Sequence, residues 1–335
     1  MKKFPPHRPP RDLARRQFLQ LAAGAAALSS GSLPAKAQSY PVRPVRIIVG
    51  FAAGGGNDIL ARLMGQWLSE RLGQQFIIEN RPGAAANLAT EAVVRAVPDG
   101  YTLLLVGPPN AINATLYDRL NFDFLRDIAP VAGISREANI VEVHPSFPAR
   151  TIPEFIAFAK TNPGKINMAS AGIGSAGHVA GELFRMTTGI SLTHVPYRGL
   201  APALTDLIAG QVQVCFANLP GSIEFVRAGT LRALAVTTDA RSQALPDIPT
   251  VAEFVPGFEA SSTFGLGAPR STPMDIIDRL NREINAGLAD PRIKARLAEF
   301  GGMVLTGSPA DFGELLGEET EKWRKVIRAG NIKPE

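Results

Sequence analysis

Residues 45–62, V-R-I-I-V-G-F-A-A-G-G-G-N-D-I-L-A-R, constrain the fold more than any other part of the chain. Val45–Val49 is a short β-branched apolar run, the mark of a buried strand. Gly54, Gly55 and Gly56 remove three consecutive Cβ atoms, so the backbone can take positive φ and a ligand can approach it closely. Asn57 or Asp58 then caps a helix with apolar residues at Ile59, Leu60, Leu63, Met64, Trp67 and Leu68. A strand, a bare turn and a helix N-terminus aim free backbone N–H groups at one point. That geometry favours an anion.

The pattern repeats downstream. Strands at 75–79 and 101–106 flank a helix at 87–97, and Gly107-Pro108-Pro109 closes the third strand. Near-continuous apolar strands alternating with helices predict a parallel sheet covered on both faces. Residues 128–134 and Asn139–Val143 read as extended, and 144–148, H-P-S-F-P, as a crossover. A second α/β unit follows: a helix capped at Thr151, strands at 166–169, 192–195, 212–216 and 231–236, and helices at 178–187, 201–209 and 222–227. A second glycine turn, 172–177, opens the first of those three helices. Residues 264–268 read as the returning strand, and helices at 273–288, 291–300 and Pro309–Ala329 complete the chain. One chain passing out and back gives two α/β domains, 38–142 with 262–335 and 143–261. Ligand sites in such folds lie at strand carboxyl ends and between domains.

The first 37 residues read as an export signal: a basic start, a mildly apolar stretch near 18–28, and Ala35-Lys36-Ala37 before a cleavage point. Residues 14–20, A-R-R-Q-F-L-Q, resemble the twin-arginine pattern but depart from it at Ala14 and Gln20; an ordinary secretory signal is the alternative. The leader carries seven of the 35 basic residues and one of the 30 acids, leaving 28 against 29. The basic balance therefore belongs to the leader and is no argument for nucleic-acid or membrane binding. Cys215 is the single cysteine and sits in an apolar strand, so neither a disulfide nor a thiolate metal site is expected.

The first glycine turn lacks G-x-G-x-x-G spacing and a following Lys-Ser/Thr, which argues against a nucleotide. A purely structural turn stays open as the alternative to a carboxylate site. Gly174 and Ser175 in the second turn are candidates for ligand contact, although Ser175 serves equally as a helix cap. His178 reads as a surface or hinge residue. Arg198 follows a strand in Tyr197-Arg198-Gly199 and either grips a carboxylate bidentately or makes a surface ion pair. Asn218 ends another strand, and Asp206 reads as exposed. The four histidines, His7, His144, His178 and His194, have no metal-ligand spacing, and no nucleophile motif is present. No metal and no cofactor are expected.

Y-P-V-R-P-V-R-I-I-V at 40–49, F-A-A-G-G-G-N-D at 51–58, N-R-P-G-A at 80–84, P-D-G-Y-T-L-L at 98–104, G-H-V-A-G-E-L-F at 177–184 and V-P-Y-R-G at 195–199 together resemble the Bug family. These are the extracytoplasmic solute receptors of tripartite tricarboxylate transporters. The resemblance runs over essentially the whole mature chain. It implies an α/β periplasmic-binding-protein fold of the type 2, Venus-flytrap kind, with no enzyme activity. It also implies a monomer in the periplasm, cleaved near Ala37, that closes on a small carboxylated solute and passes it to membrane permease subunits, with no nucleic acid involved. The loop after the first strand would hold the carboxylate through Phe51, Gly55, Gly56, Asn57 and Asp58, with Gly107, Gly174, Ser175, Arg198 and Asn218 completing the site. Asn57 stands where the family usually has Thr or Ser, and Asp58 is expected to orient Asn57, water or a ligand amine. Hinges are expected near His144 and Ala260. A secreted enzyme on a similar fold and a receptor reporting to a sensor kinase are the alternatives.

Overall fold

The computed structural model describes residues 1–2, 40–54 and 56–334. All but the first two residues of the stretch read as an export signal lie outside them, as do Gly55 and Glu335. The chain divides into two units, residues 1–42 and 43–335.

Two sheets organise the larger unit. The first contains β1 (Val45–Val49), β2 (Phe76–Asn80), β3 (Thr102–Val106), β4 (Ile128–Glu137), β10 (Ser262–Pro269) and β11 (Gly302–Val304), in the order β11-β4-β10-β3-β1-β2. The second contains β5 (Asn139–Val143), β6 (Asn167–Ser170), β7 (Thr193–Pro196), β8 (Val214–Asn218) and β9 (Arg232–Val236), in the order β7-β6-β8-β5-β9. The parallel sheet expected from the first strands is mixed. β1 pairs in parallel with β2 and β3, but β10 runs antiparallel to β3 and β4. Likewise β6 is parallel to β7 and β8, while β5 runs against β8 and β9. The reason is where the chain crosses. β5 begins opposite the end of β8, at Asn139 and Asn218, and β10 begins opposite the end of β4, at Ser262 and Glu137. A strand arriving from the other sheet enters at the carboxyl ends of its neighbours and must run back along them.

β5 belongs to the second sheet, so the outward crossing is Ala138, between β4 and β5, and not the 144–148 segment expected to carry it. That segment is a loop beyond β5, where the Phe147 N–H donates to the His144 carbonyl. The two crossings are tied together. The Asn139 amide and the Thr237 hydroxyl both donate to the Ala260 carbonyl, at 2.7 and 2.9 Å, and the Asn139 N–H donates to Thr237 Oγ1.

Helices cover the sheets: α1 (Gly56–Leu72), α2 (Asn87–Val94), α3 (Pro108–Leu116), α4 (Phe124–Asp127), α5 (Ile152–Thr161), α6 (Ala176–Thr188), α7 (Leu200–Ile208), α8 (Leu219–Arg227), α9 (Met274–Ala289), α10 (Pro291–Glu299) and α11 (Pro309–Ala329). α3 starts where Gly107-Pro108-Pro109 was expected only to end a strand. Proline is tolerated in a first helical turn, which has N–H groups to spare, and the Asn110 side chain reaches back to accept the Gly107 N–H. α11 is shared between the sheets. Phe312 and Leu316 join Ile48 and Leu104 of the first core, whereas Trp323 and Val326 pack with Phe155 and Phe184 of the second. Among the described residues no helix is long and apolar enough to cross a membrane.

Candidate functional site

The turn after β1 is built by its own side chains. Gly54 takes φ +86°, a conformation that strains any residue with a Cβ. Its N–H donates to Asp58 Oδ2 at 2.9 Å, and the same carboxylate accepts from Arg62 Nε at 2.9 Å and Asn80 Nδ2 at 3.0 Å. Asn80 Nδ2 also donates to the Phe51 carbonyl, so the last residue of β2 pins both ends of the turn. Burial pushes the Asp58 carboxyl upward, but Arg62, the Gly54 N–H and Asn80 outweigh it and hold the pKa below its ordinary 3.8. Asp58 is an ionised brace for the loop.

This turn borders a cleft of about 740 Å³, well within the range of small-molecule sites. Phe51, Ala52, Ala53, Gly54 and Gly56 form one side, with Ile59, Leu60 and Leu63 of α1 beside them. Arg198, Gly199 and the apolar residues Leu200, Leu204 and Ile208 of α7 face it, with Asn218, Pro220, Gly221 and Phe225 around α8 and Leu297 and Phe300 at the end of α10. The apolar stripe of α1 is thus wider than its core requires. Met64 and Leu68 are buried, while Ile59 stays about one-third exposed and lines the cleft. A Cβ on Gly56 would lie 3.7 Å from Asn218 Nδ2, an ordinary contact distance, so α1 starts beside the end of β8.

Among the described residues two ionisable side chains line the cleft, Arg198 and Glu137. Arg198 is exposed and has no acidic partner among the described residues. Glu137, the last residue of β4, is 5 % exposed. Among the described residues it accepts only long hydrogen bonds, from Asn218 Nδ2 and Ser135 Oγ, each at 3.4 Å. Burial pushes its carboxyl up to about 8, and the Ser135 hydroxyl only partly offsets this. Sequence reading missed Glu137. A lone acid after an apolar strand carries no local mark of burial.

The second glycine turn has a different setting. Gly174 takes φ +75°, and a Cβ there would collide with Leu116 of α3. Ser175 caps α6 by accepting the His178 N–H at 3.3 Å. His178 is buried, not the surface residue expected, and its Nδ1 accepts the Gly174 N–H at 3.1 Å. Its ring stacks on His194 with centroids 3.7 Å apart, and His194 Nε2 lies 2.7 Å from Ser170 Oγ. Burial first, then the neighbouring imidazole, drives the His178 pKa down to about 3; burial takes His194 to about 4. Asp206 is likewise no exposed acid, since it accepts the Tyr197 hydroxyl at 2.6 Å.

The expected site residues therefore divide. Phe51, Gly56, Arg198 and Asn218 meet on the cleft, with Asn57 and Asp58 just behind it in the first turn of α1. Gly174 is packed against α3 and Ser175 caps α6, and neither lines it. Gly107 adjoins Phe264 and a buried chain of polar groups in which Asn110 Nδ2 donates to Thr90 Oγ1. Asn113, also in α3, keeps a buried Oδ1 without a partner near Gly174.

Comparison with known proteins gives a consistent answer. The sequence profile of the tripartite tricarboxylate transporter family receptor matches residues 60–332. Protein BugT of Bordetella pertussis is 34 % identical over 303 residues, covering 90 % of this chain and 93 % of that one. Among solved structures, Rpa4515 of R. palustris with adipate is 38 % identical, with a TM-score of 0.82 over 88 % of this chain and all of the other. MatC of Rhodopseudomonas palustris with bound malate is 31 % identical, with a TM-score of 0.77 over 86 % of this chain and all of the other. The α/β fold expected of a periplasmic binding protein is the fold these relatives share. With a solute-sized cleft at the strand ends and a matching profile over most of its length, the chain belongs to the Bug receptors of tripartite tricarboxylate transporters.

Proposed function

We propose that this receptor reversibly captures a small carboxylated solute in the cleft beside Phe51–Gly56 and delivers it to the permease subunits of a tripartite transporter. It does so in the periplasm and as a monomer. The observation that carries the reading is Arg198, a guanidinium without an acidic partner among the described residues, set in a cleft lined mostly by bare backbone and apolar side chains. A guanidinium grips a carboxylate in a planar, two-bond arrangement, and the glycine turn leaves room for the anion beside backbone N–H groups. The relatives whose structures are solved with adipate and with bound malate support the same ligand class. The two sheets would form the two lobes, closing by rotation about the Ala138 and Ala260 crossings. No step of this reading breaks a covalent bond.

The test is isothermal titration of the mature chain against adipate, malate, hexanoate and benzoate. At least one should bind, and Arg198→Ala should weaken that binding about tenfold or more. No binding by any carboxylate would overturn the reading.

A further inference from the structure

Glu137 is an odd group to find in a site for anions. Its carboxyl borders the cleft beside Asn218, at the point where β4 leaves the first sheet. Among the described residues no cation, Arg198 included, forms an ion pair with it. Its strand partners are Ser262 of β10 and Gly302 of β11, neither of them charged, and Arg136 alternates to the opposite face of the strand. Asp58 of α1 is occupied by Arg62, Gly54 and Asn80, and the lining residues of α7, α8 and α10 carry no charge. An ionised carboxylate here would have two hydrogen bonds of 3.4 Å and no counter-ion, too little to offset its desolvation. Burial accordingly keeps the proton on. A carboxyl that stays protonated is a hydrogen-bond donor, and a donor is what an incoming carboxylate needs.

Building on the receptor function proposed for this cleft, we propose that Glu137 binds the solute as a neutral acid, donating its carboxyl proton to the solute's carboxylate while Arg198 supplies the positive charge. The proton stays on Glu137 and no bond is broken; the contact is a short, charge-assisted O–H···O bond. Ionisation of Glu137 would turn that donor into a second anion facing the first. Affinity for a carboxylate therefore falls as pH rises through about 8.

The experiment measures, by titration calorimetry between about pH 7 and about pH 9.5, the affinity of whichever of adipate, malate, hexanoate or benzoate binds best; all four are almost wholly ionised across that range. Wild type should bind with constant affinity at the acid end and lose about tenfold per pH unit above about 8. Glu137→Gln keeps a donor that cannot ionise, so its profile should be flat. Glu137→Leu removes the donor and should bind about ten- to a hundredfold more weakly throughout. Thermal melts report whether each variant folds, and if Glu137→Leu does not, wild type against Glu137→Gln decides the matter. Parallel profiles for those two would overturn this inference alone. Affinity that rises with pH would overturn it too. Failure of all four acids to bind wild type at any pH would remove the receptor reading and this inference together.

Discussion

Two glycine turns in this molecule use one device with different chemistry. In each, a glycine of positive φ donates its N–H to a side chain four residues on, in the first turn of the next helix. Gly54 donates to the carboxylate of Asp58, and Gly174 to the imidazole of His178. The first acceptor is an anion braced by Arg62 and Asn80; the second is a neutral ring stacked on another. The surroundings differ as well. Nothing lies within 4 Å of where a Cβ on Gly54 would sit, while at Gly174 the space belongs to Leu116. One turn is braced so that it can face an open cleft. The other is closed by packing.

The contrast can be broken most forcefully at the packed turn. Gly174→Ala adds left-handed strain and displaces a core leucine, and should cost about 2 to 3 kcal/mol in urea denaturation. Gly54→Ala, with strain but no collision, should cost only about 1 kcal/mol. Equal costs would mean that the two turns are equally packed. Next comes the brace: Asp58→Ala removes three hydrogen bonds to a buried carboxylate and should cost about 2 kcal/mol, because Arg62 on its outer side is half-exposed and already screened. That variant should also weaken solute binding, whereas a loss of stability with unchanged affinity would detach the turn from the site.

A last test separates the turns by pH. In the unfolded chain a histidine takes up a proton near 6.5, but folded His178 resists until about 3. Between those values the unfolded state binds more protons. The stability contributed by neutral His178 is therefore complete above 6.5 and lost as pH falls toward 3, by about 1.4 kcal/mol per pH unit. His178→Asn should remove that share of the acid loss, measured from urea midpoints at two pH values within the window. The first turn should not notice, because the Asp58 carboxylate contributes down to its ordinary 3.8 and is lost only below it.

Local pattern carried much of this architecture. Pro309–Ala329 could be read to the residue because Ser308 caps it and Pro309 starts it, both signals lying within one turn. The same proline signal misled at Pro108, where a helix start looks like a strand stop until Asn110 is seen reaching back. The antiparallel strands β5 and β10 were beyond reach, since strand direction depends on where the chain comes from and not on its periodicity. The site divides along the same line. Phe51, Gly56, Arg198 and Asn218 follow strands, a sequence-visible position, and they meet at the cleft. Glu137 and the His178–His194 stack exist only through burial and contacts between residues distant in the chain.

The paired crossings carry a mechanical consequence. A chain that passes twice between two bodies would ordinarily give them two independent tethers. Here Asn139, Thr237 and Ala260 bond the tethers side by side. Bending one strains the other unless both turn about a common line, so the soft coordinate is a single rotation instead of a cone of directions. In the closure proposed above, a joint of that kind would bring Arg198 and the glycine turn back to the same separation each time, because the directions in which they could miss have been removed.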